Sequence, residues 1–301
     1  MLRFSGVARS HTGLVRTGNE DSGYAGPTLL LVADGVGGAA AGEVASATVA
    51  HAISSLALAA LADPEASAEP VGLLARGVDL AQRLLTLGVR RDRRRAGMAT
   101  TLTAVATDGA RCALAHVGDS RGYVFSGGEL TRVTRDDTFV QRMVDDGSLS
   151  PEDVPSHPWR NIVVRSLGGD LDPDSIVPPE RATITQLRLA PGDRVLLASD
   201  GLSDLVAEDR IERVLATQHD DAAVESLVDA ALQAGGRDNI TCLLATVVDA
   251  AAGGAEEAGA DVTRVGVLVG AVRDPDHVIT DAEAERAHEA PRASDSGVSL
   301  A

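Results

Sequence analysis

The chain has 301 residues, 44% hydrophobic but only 2% aromatic, and a formal net charge of −17. That length and apolar content exclude a chain disordered by composition and allow one large domain or two small ones. The acidic balance, with no basic domain, argues against nucleic acid or an anionic membrane surface as the main partner. All 27 basic residues are arginines, which leaves no lysine for Schiff-base or P-loop chemistry.

Residues 1–33 read as two strands joined by a loop carrying Arg16 to Asp21. An Ala-rich stretch, 42–61, and a Leu-spaced stretch, 71–89, read as helices, with the Pro-containing ADPEASAEP as the loop between them. Strand candidates follow at 101–107, 112–117 and 122–125, and Gly127-Gly128 reads as a hairpin turn. From residue 134 to about 180 the strand signal fades. A helix at 139–146 and a Pro-rich SHPWRN stretch mark this part as a flap-like insertion over or beside a site. Strands resume at 183–189 and 195–199, helices at 207–216 and 222–234, and a last core strand at 240–248.

Residues 249–301 hold eleven Asp or Glu and four Arg, a net of −7, and read as an acidic, mobile tail that could add one strand within 262–272. The catalytic unit is therefore expected to span 1–248. Antiparallel strand groups interrupted by helical pairs predict an α+β, four-layer α-β-β-α sandwich of two stacked sheets. Cys112 and Cys242 sit in apolar, strand-like runs, which favours buried reduced thiols over a disulfide. The N-terminus lacks a signal-like apolar region, and no run reaches the roughly 18 apolar residues of a membrane span. A cytoplasmic protein without membrane insertion is the expectation.

Two stretches repeat one device, LLLVADG at 29–35 and RVLLASDG at 194–201. Each is an apolar strand that stops at Asp-Gly, which places a carboxylate at a sheet end beside a permissive backbone. Asp119 in AHVGDSRGYVF is a third acid of this kind, and Asp238 in GGRDNITCLLATV opens a strand. Glu20 and Asp21 in VRTGNEDS join them. Like charges held together need a counter-charge, and an all-oxygen set suits hard divalent cations such as magnesium or manganese.

The series VRTGNEDS, VADGVGG, GMATTLTAV, HVGDSRGYV, ASDGLSD and GGRDNITCLL, in this order and spacing over about residues 5–248, resembles the metal-dependent protein phosphatases of the 2C type, in their compact bacterial branch. The resemblance implies hydrolysis of phosphoserine and phosphothreonine at a centre of two Mn2+ or Mg2+ ions, by a metal-bridging hydroxide and without a covalent intermediate. It implies that Asp34 bridges both ions with the Gly35 carbonyl as a further ligand, that Asp200 and Asp238 complete one ion, and that Glu20 and Asp21 hold metal-bound waters. Asp119 matches the position of a third, weaker ion shared with Asp200, and Arg16 matches the phosphate-binding arginine, whose planar fork suits phosphate. Taken singly, these acids could be turn formers or solvated carboxylates, and Arg16 a surface partner of Glu20 or Asp21; the six ordered motifs favour the site.

His157 lies in a segment resembling the bacterial His-Pro-x-Arg-Asn and could contact phosphate or pin the flap, with pinning favoured. Val36 stands where many eukaryotic relatives carry a candidate general acid, so leaving-group protonation would come from water near Asp119. Asp137 replaces a frequent histidine, which puts local substrate contacts in doubt. The arginine run 90–95 reads as a solvated helix end before a substrate-attracting patch. Expected partners are phosphorylated proteins, namely serine/threonine kinases and their substrates. Rival readings are an inactive phosphoprotein-binding module, a small-molecule phosphomonoesterase, and a phosphatase of an anti-anti-sigma-type switch protein.

Overall fold

A computed structural model describes residues 1–36, 41–63, 69–168, 182–250 and 266–280. Its strands are β1 (Leu2–His11), β2 (Asp21–Ala25), β3 (Leu29–Val36), β4 (Ala99–Thr100), β5 (Leu102–Thr107), β6 (Cys112–Val117), β7 (Arg121–Ser126), β8 (Glu129–Arg132), β9 (Leu167–Gly168), β10 (Thr183–Leu187), β11 (Arg194–Ala198), β12 (Ile240–Asp249) and β13 (Val267–Gly270). The helices are α1 (Gly42–Ala62), α2 (Pro70–Arg91), α3 (Phe139–Asp145), α4 (Asp200–Ser203), α5 (Glu208–Thr217) and α6 (Asp220–Gln233).

One sheet runs β1-β12-β11-β7-β8, and the other β10-β6-β5-β3-β2-β13 with the short β4 and β9 attached. Every pairing is antiparallel. Strand alternation assigns each residue to a layer. In β3, Leu29, Leu31 and Ala33 pack outward on α1 and α2, whereas Leu30 and Val32 point between the sheets. In β11, Leu196 and Ala198 pack outward with α5 and α6, whereas Val195 and Leu197 point inward. The result is the expected α-β-β-α sandwich, filled by Val, Leu, Ala and Ile. Gly127 and Gly128 both adopt positive φ, +60° and +90°, in the turn joining β7 to β8.

Helix α1 is long and apolar enough to cross a membrane by length and composition alone. Twelve of its 21 residues are buried, and it packs on β3 and α2, so the same apolarity serves as core. Cys112 and Cys242 are buried and unpaired.

Two expectations need correction. Residues 1–33 contain three strands, because Asp21–Ala25 pairs with β3 although DSGYA has no apolar run. Gly23 lets this strand lie wholly buried, since a Cβ there would stand 2.9 Å from Val269 and 3.2 Å from Leu243. The extra strand expected within 262–272 forms, as β13 on the edge of β2, but the mobility expected of the tail does not hold for 266–280, which buries Ala271, Val272 and Ile279. The rest of the tail, 251–265 and 281–301, lies outside the described residues, as do flap positions 169–181.

Leu31 is fully buried between β3 and the helices. Leu31→Ala should lower unfolding stability by about 3 kcal/mol, read as a lower urea midpoint at unchanged m-value.

Candidate metal centre

The inward register of β3 continues past Val32 to Asp34, so the carboxylate enters the space between the sheets where the apolar filling ends. Asp21, the first residue of β2, pairs directly with Asp34. On the other sheet, pairing continues beyond β11: the Ser199 N–H donates to the Thr241 carbonyl (3.0 Å), and the Thr241 N–H to Ser199 Oγ (2.9 Å). Asp200 then opens α4, and Asp238 precedes β12, in the same region. Asp119 lies in the turn between β6 and β7, 9% exposed.

These acids feel one another. Burial holds Asp34 well above the usual carboxylate range, reinforced by Asp21, Asp200, Asp119 and Asp238. Asp200 is raised in the same way, by burial and then by Asp119, Asp204, Asp238 and Asp21. Burial pushes Asp21 to about 6 against two hydroxyl hydrogen bonds, and Asp119 to about 7 with help from Asp136 and Asp204. Glu20 is raised by burial and by Glu43. Each shift reports a charge that the fold desolvates without neutralising.

The surrounding polar groups fix backbone more than carboxylate. Thr101 Oγ1 accepts from the Asp34 N–H (3.0 Å), while the Thr101 N–H and Thr100 Oγ1 donate to the Asp34 carbonyl (2.9 and 2.8 Å). Ser199 Oγ donates to Asp21 Oδ2 at 2.8 Å. Asn239, which sequence reasoning passed over inside its motif, accepts from the Glu20 N–H and donates to the Thr12 and Gly18 carbonyls (2.8, 2.9 and 2.8 Å). It thereby ties the loop carrying Arg16 to β12. Its signal was available: a buried amide beside a ligand-type Asp is more useful as a brace than as surface.

Gly35 is obligatory. A Cβ there would stand 2.5 Å from Gly42 backbone atoms and 2.8 Å from the Glu20 carbonyl oxygen. Arg16 pairs with Asp238 at 2.7 Å, both side chains partly exposed. Asp137, in doubt as a substrate contact, instead accepts from the Gly118 N–H (2.9 Å) and pairs with Arg165. His157 is half-buried, accepts from the Trp159 N–H at 3.2 Å and packs edge-on to the Trp159 ring. Arg94, in the arginine run, pairs with neighbouring Asp92 at the surface. A cavity of about 330 Å³ separates the flap from the acids, lined among others by Asp119, Asp136, Val140, Arg160 and Asp204.

The donor set fits a hard cation. Asp21 Oδ1 is buried with no hydrogen-bond partner, and all the acids are oxygen donors. Among the described residues no three such side chains already converge as a finished cage.

The profile of the family described as Protein phosphatase 2C matches residues 18–235. The chain belongs to this family. It is 44% identical over 250 residues to the serine/threonine protein phosphatase PstP of Mycobacterium tuberculosis, covering 83% of this chain and 46% of that protein. The chain thus spans about half the length of that relative. It is similar to a crystal structure of the Mycobacterium tuberculosis phosphatase PstP/Ppp at a TM-score of 0.74 and 41% identity, with 82% of this chain and 99% of that one covered. A structure of the PstP catalytic domain in complex with two manganese ions matches at a TM-score of 0.69 and 40% identity, covering 83% and 100%.

Raised carboxylate pKa values carry a definite sign. The protons retained by Asp21 and Asp119 in the fold stabilise the metal-free protein at low pH, and that stabilisation is lost as pH rises from about 4 through about 7. The metal-free Tm should therefore fall across this window. Asp34→Asn should raise the metal-free Tm at pH 8 by about 5 °C, the size expected of a couple of kcal/mol in a chain of this length. Differential scanning calorimetry in a chelating buffer checks both.

Proposed function

We propose that this chain hydrolyses phosphoserine and phosphothreonine in proteins with Mn2+ or Mg2+, in the cytoplasm, acting on phosphorylated kinases and their substrates. The observation that carries the reading is the cluster Asp21, Asp34, Asp119, Asp200 and Asp238, desolvated and mutually repelling at one end of the inter-sheet space. Family membership and the manganese-bound relative support it.

Asp34 and the Gly35 carbonyl would hold a bridging position, with Asp200 and Asp238 on one ion, and Glu20 and Asp21 ordering water around the pair. Asp119 and Asp200 would share a weaker third ion. Bound cations neutralise phosphoryl charge and make water a competent nucleophile near neutral pH. The protein's own contribution is positional. Asp34 holds the nucleophile's site in the cleft, braced by Thr100 and Thr101 through its backbone. Arg16 holds the phosphoryl oxygens: its present ion pair with Asp238 is half exposed, worth at most about 1 kcal/mol, and yields readily to a doubly charged phosphate. Val36 offers no proton, so the leaving group is protonated from water on the Asp119 side.

Direct attack by water is favoured over a cysteinyl phosphoenzyme. Both thiols lie in packed strands away from the cleft, and burial pushes Cys242 to about 12. An intact acid set also favours turnover over an inactive binding module.

Phosphate release from a phosphothreonine peptide should require manganese, and Asp34→Ala or Asp200→Ala should lower kcat at least about a thousandfold, a loss typical of removing electrostatic transition-state stabilisation. Arg16→Ala should mainly raise KM. Metal binding without turnover in the parent would instead support the phosphoprotein-binding module.

A further inference from the structure

Strand β2 presents an unusual mechanical problem. It has five residues, includes Gly23, and begins with Asp21, a buried acid whose Oδ1 has no hydrogen-bond partner. One side is held by β3. The other would be a free sheet edge, and free edges of short strands open easily.

Residues 267–280 occupy that edge. Val267 to Gly270 pair antiparallel with Ala25 to Ser22. Gly270 lies at φ +77° against the Asp21 backbone, where a Cβ would stand 2.1 Å from the Asp21 carbonyl oxygen. The Val272 N–H donates to Ser22 Oγ at 3.1 Å, and Ser22 Oγ lies 3.0 Å from Ser46 Oγ on α1. Ser46 Oγ in turn lies 2.5 Å from the Glu20 carbonyl oxygen. Further on, the Ile279 N–H donates to Thr48 Oγ1 of α1 at 3.1 Å, and the Ile279 side chain, 1% exposed, is buried among residues of α1 and α2. The segment is therefore anchored at both ends, on β2 and on α1. It lies outside residues 18–235, which the family profile matches.

We infer that residues 267–280 form a clasp belonging to the catalytic unit, and that Ser22 and Ser46 are positioning residues through which it holds the Glu20–Asp21 edge of the acid cluster. Asp21 and Glu20 keep their places only while β2 stays in the sheet, because Asp21 is its first residue and Glu20 directly precedes it. The clasp thus sets how readily the cluster accepts a cation, a consequence that rests on the metal-dependent reading above. The unit then runs to about residue 280, not 248.

The test uses the full chain carrying Gly270→Val, with Ile279→Ala as a milder second variant should the first fail to fold. Two quantities are read: amide hydrogen exchange in the metal-free protein, and the dissociation constant for Mn2+ alone by calorimetry. Release of the clasp should speed exchange of residues 21–25 about tenfold or more while β5 and β6 stay protected, as expected of a local opening. It should weaken Mn2+ binding by a similar factor. Unchanged exchange at 21–25, or equal acceleration throughout the sheet, overturns the clasp; so does an unaltered Mn2+ affinity when the parent binds the ion. A parent that binds no Mn2+ defeats the metal-dependent reading instead, and the exchange pattern alone then decides the clasp.

Discussion

Asp21 and Asp34 stand across from each other on adjacent strands, where burial and neighbouring carboxylates disfavour the ionised form of Asp34. Asp200, Asp119 and Asp238 add to the same potential. A fold left to minimise its own energy would disperse these groups. This one instead places them where the alternation of β3 and the ladder between β11 and β12 run out of apolar partners. The cost is carried by the sandwich core behind them, where Leu30, Val32, Val195, Leu197 and Leu243 interlock between the sheets.

Most of the side chains near the acids act on backbone. Thr100, Thr101, Asn239 and Ser46 bind the peptide groups of Asp34 and Glu20. Ser199 donates to the Asp21 carboxylate itself. Fixing the chain while leaving carboxylate lone pairs open is the arrangement a cation needs, since a fully satisfied carboxylate has nothing to offer a metal. Arg16 fits the same logic from the opposite sign: its partly exposed pair with Asp238 is weak enough to be exchanged.

The placing of the candidate acids at strand ends was legible in the sequence because its signals are local. An apolar strand ending in Asp-Gly names its own carboxylate, and the parity of β3 and β11 then decides that Asp34 points inward. The layers were legible for the same reason, since the Leu and Ala spacing of α1 and α2 is helical and the strands are nearly continuous apolar runs. What was not legible depends on partners distant in sequence. Strand β2 has no apolar run of its own and exists because β3 and β13 flank it. A strand within 262–272 was legible, but residues 273–280 look like acidic tail until Ile279 is seen against α1 and α2. The braces Asn239 and Ser46 carry no chemistry and acquire meaning only from the backbone groups they reach.

The central claim is that this acid cluster is a site for a pair of divalent cations. Calorimetric titration of the metal-free chain with Mn2+ at pH 7 tests it most directly. The account predicts two ions bound per chain with release of protons, because Asp21 and Asp119 titrate near 6 and 7, and predicts that Asp34→Asn removes the tight binding. Absence of binding at millimolar Mn2+, or binding indifferent to Asp34→Asn, would contradict it.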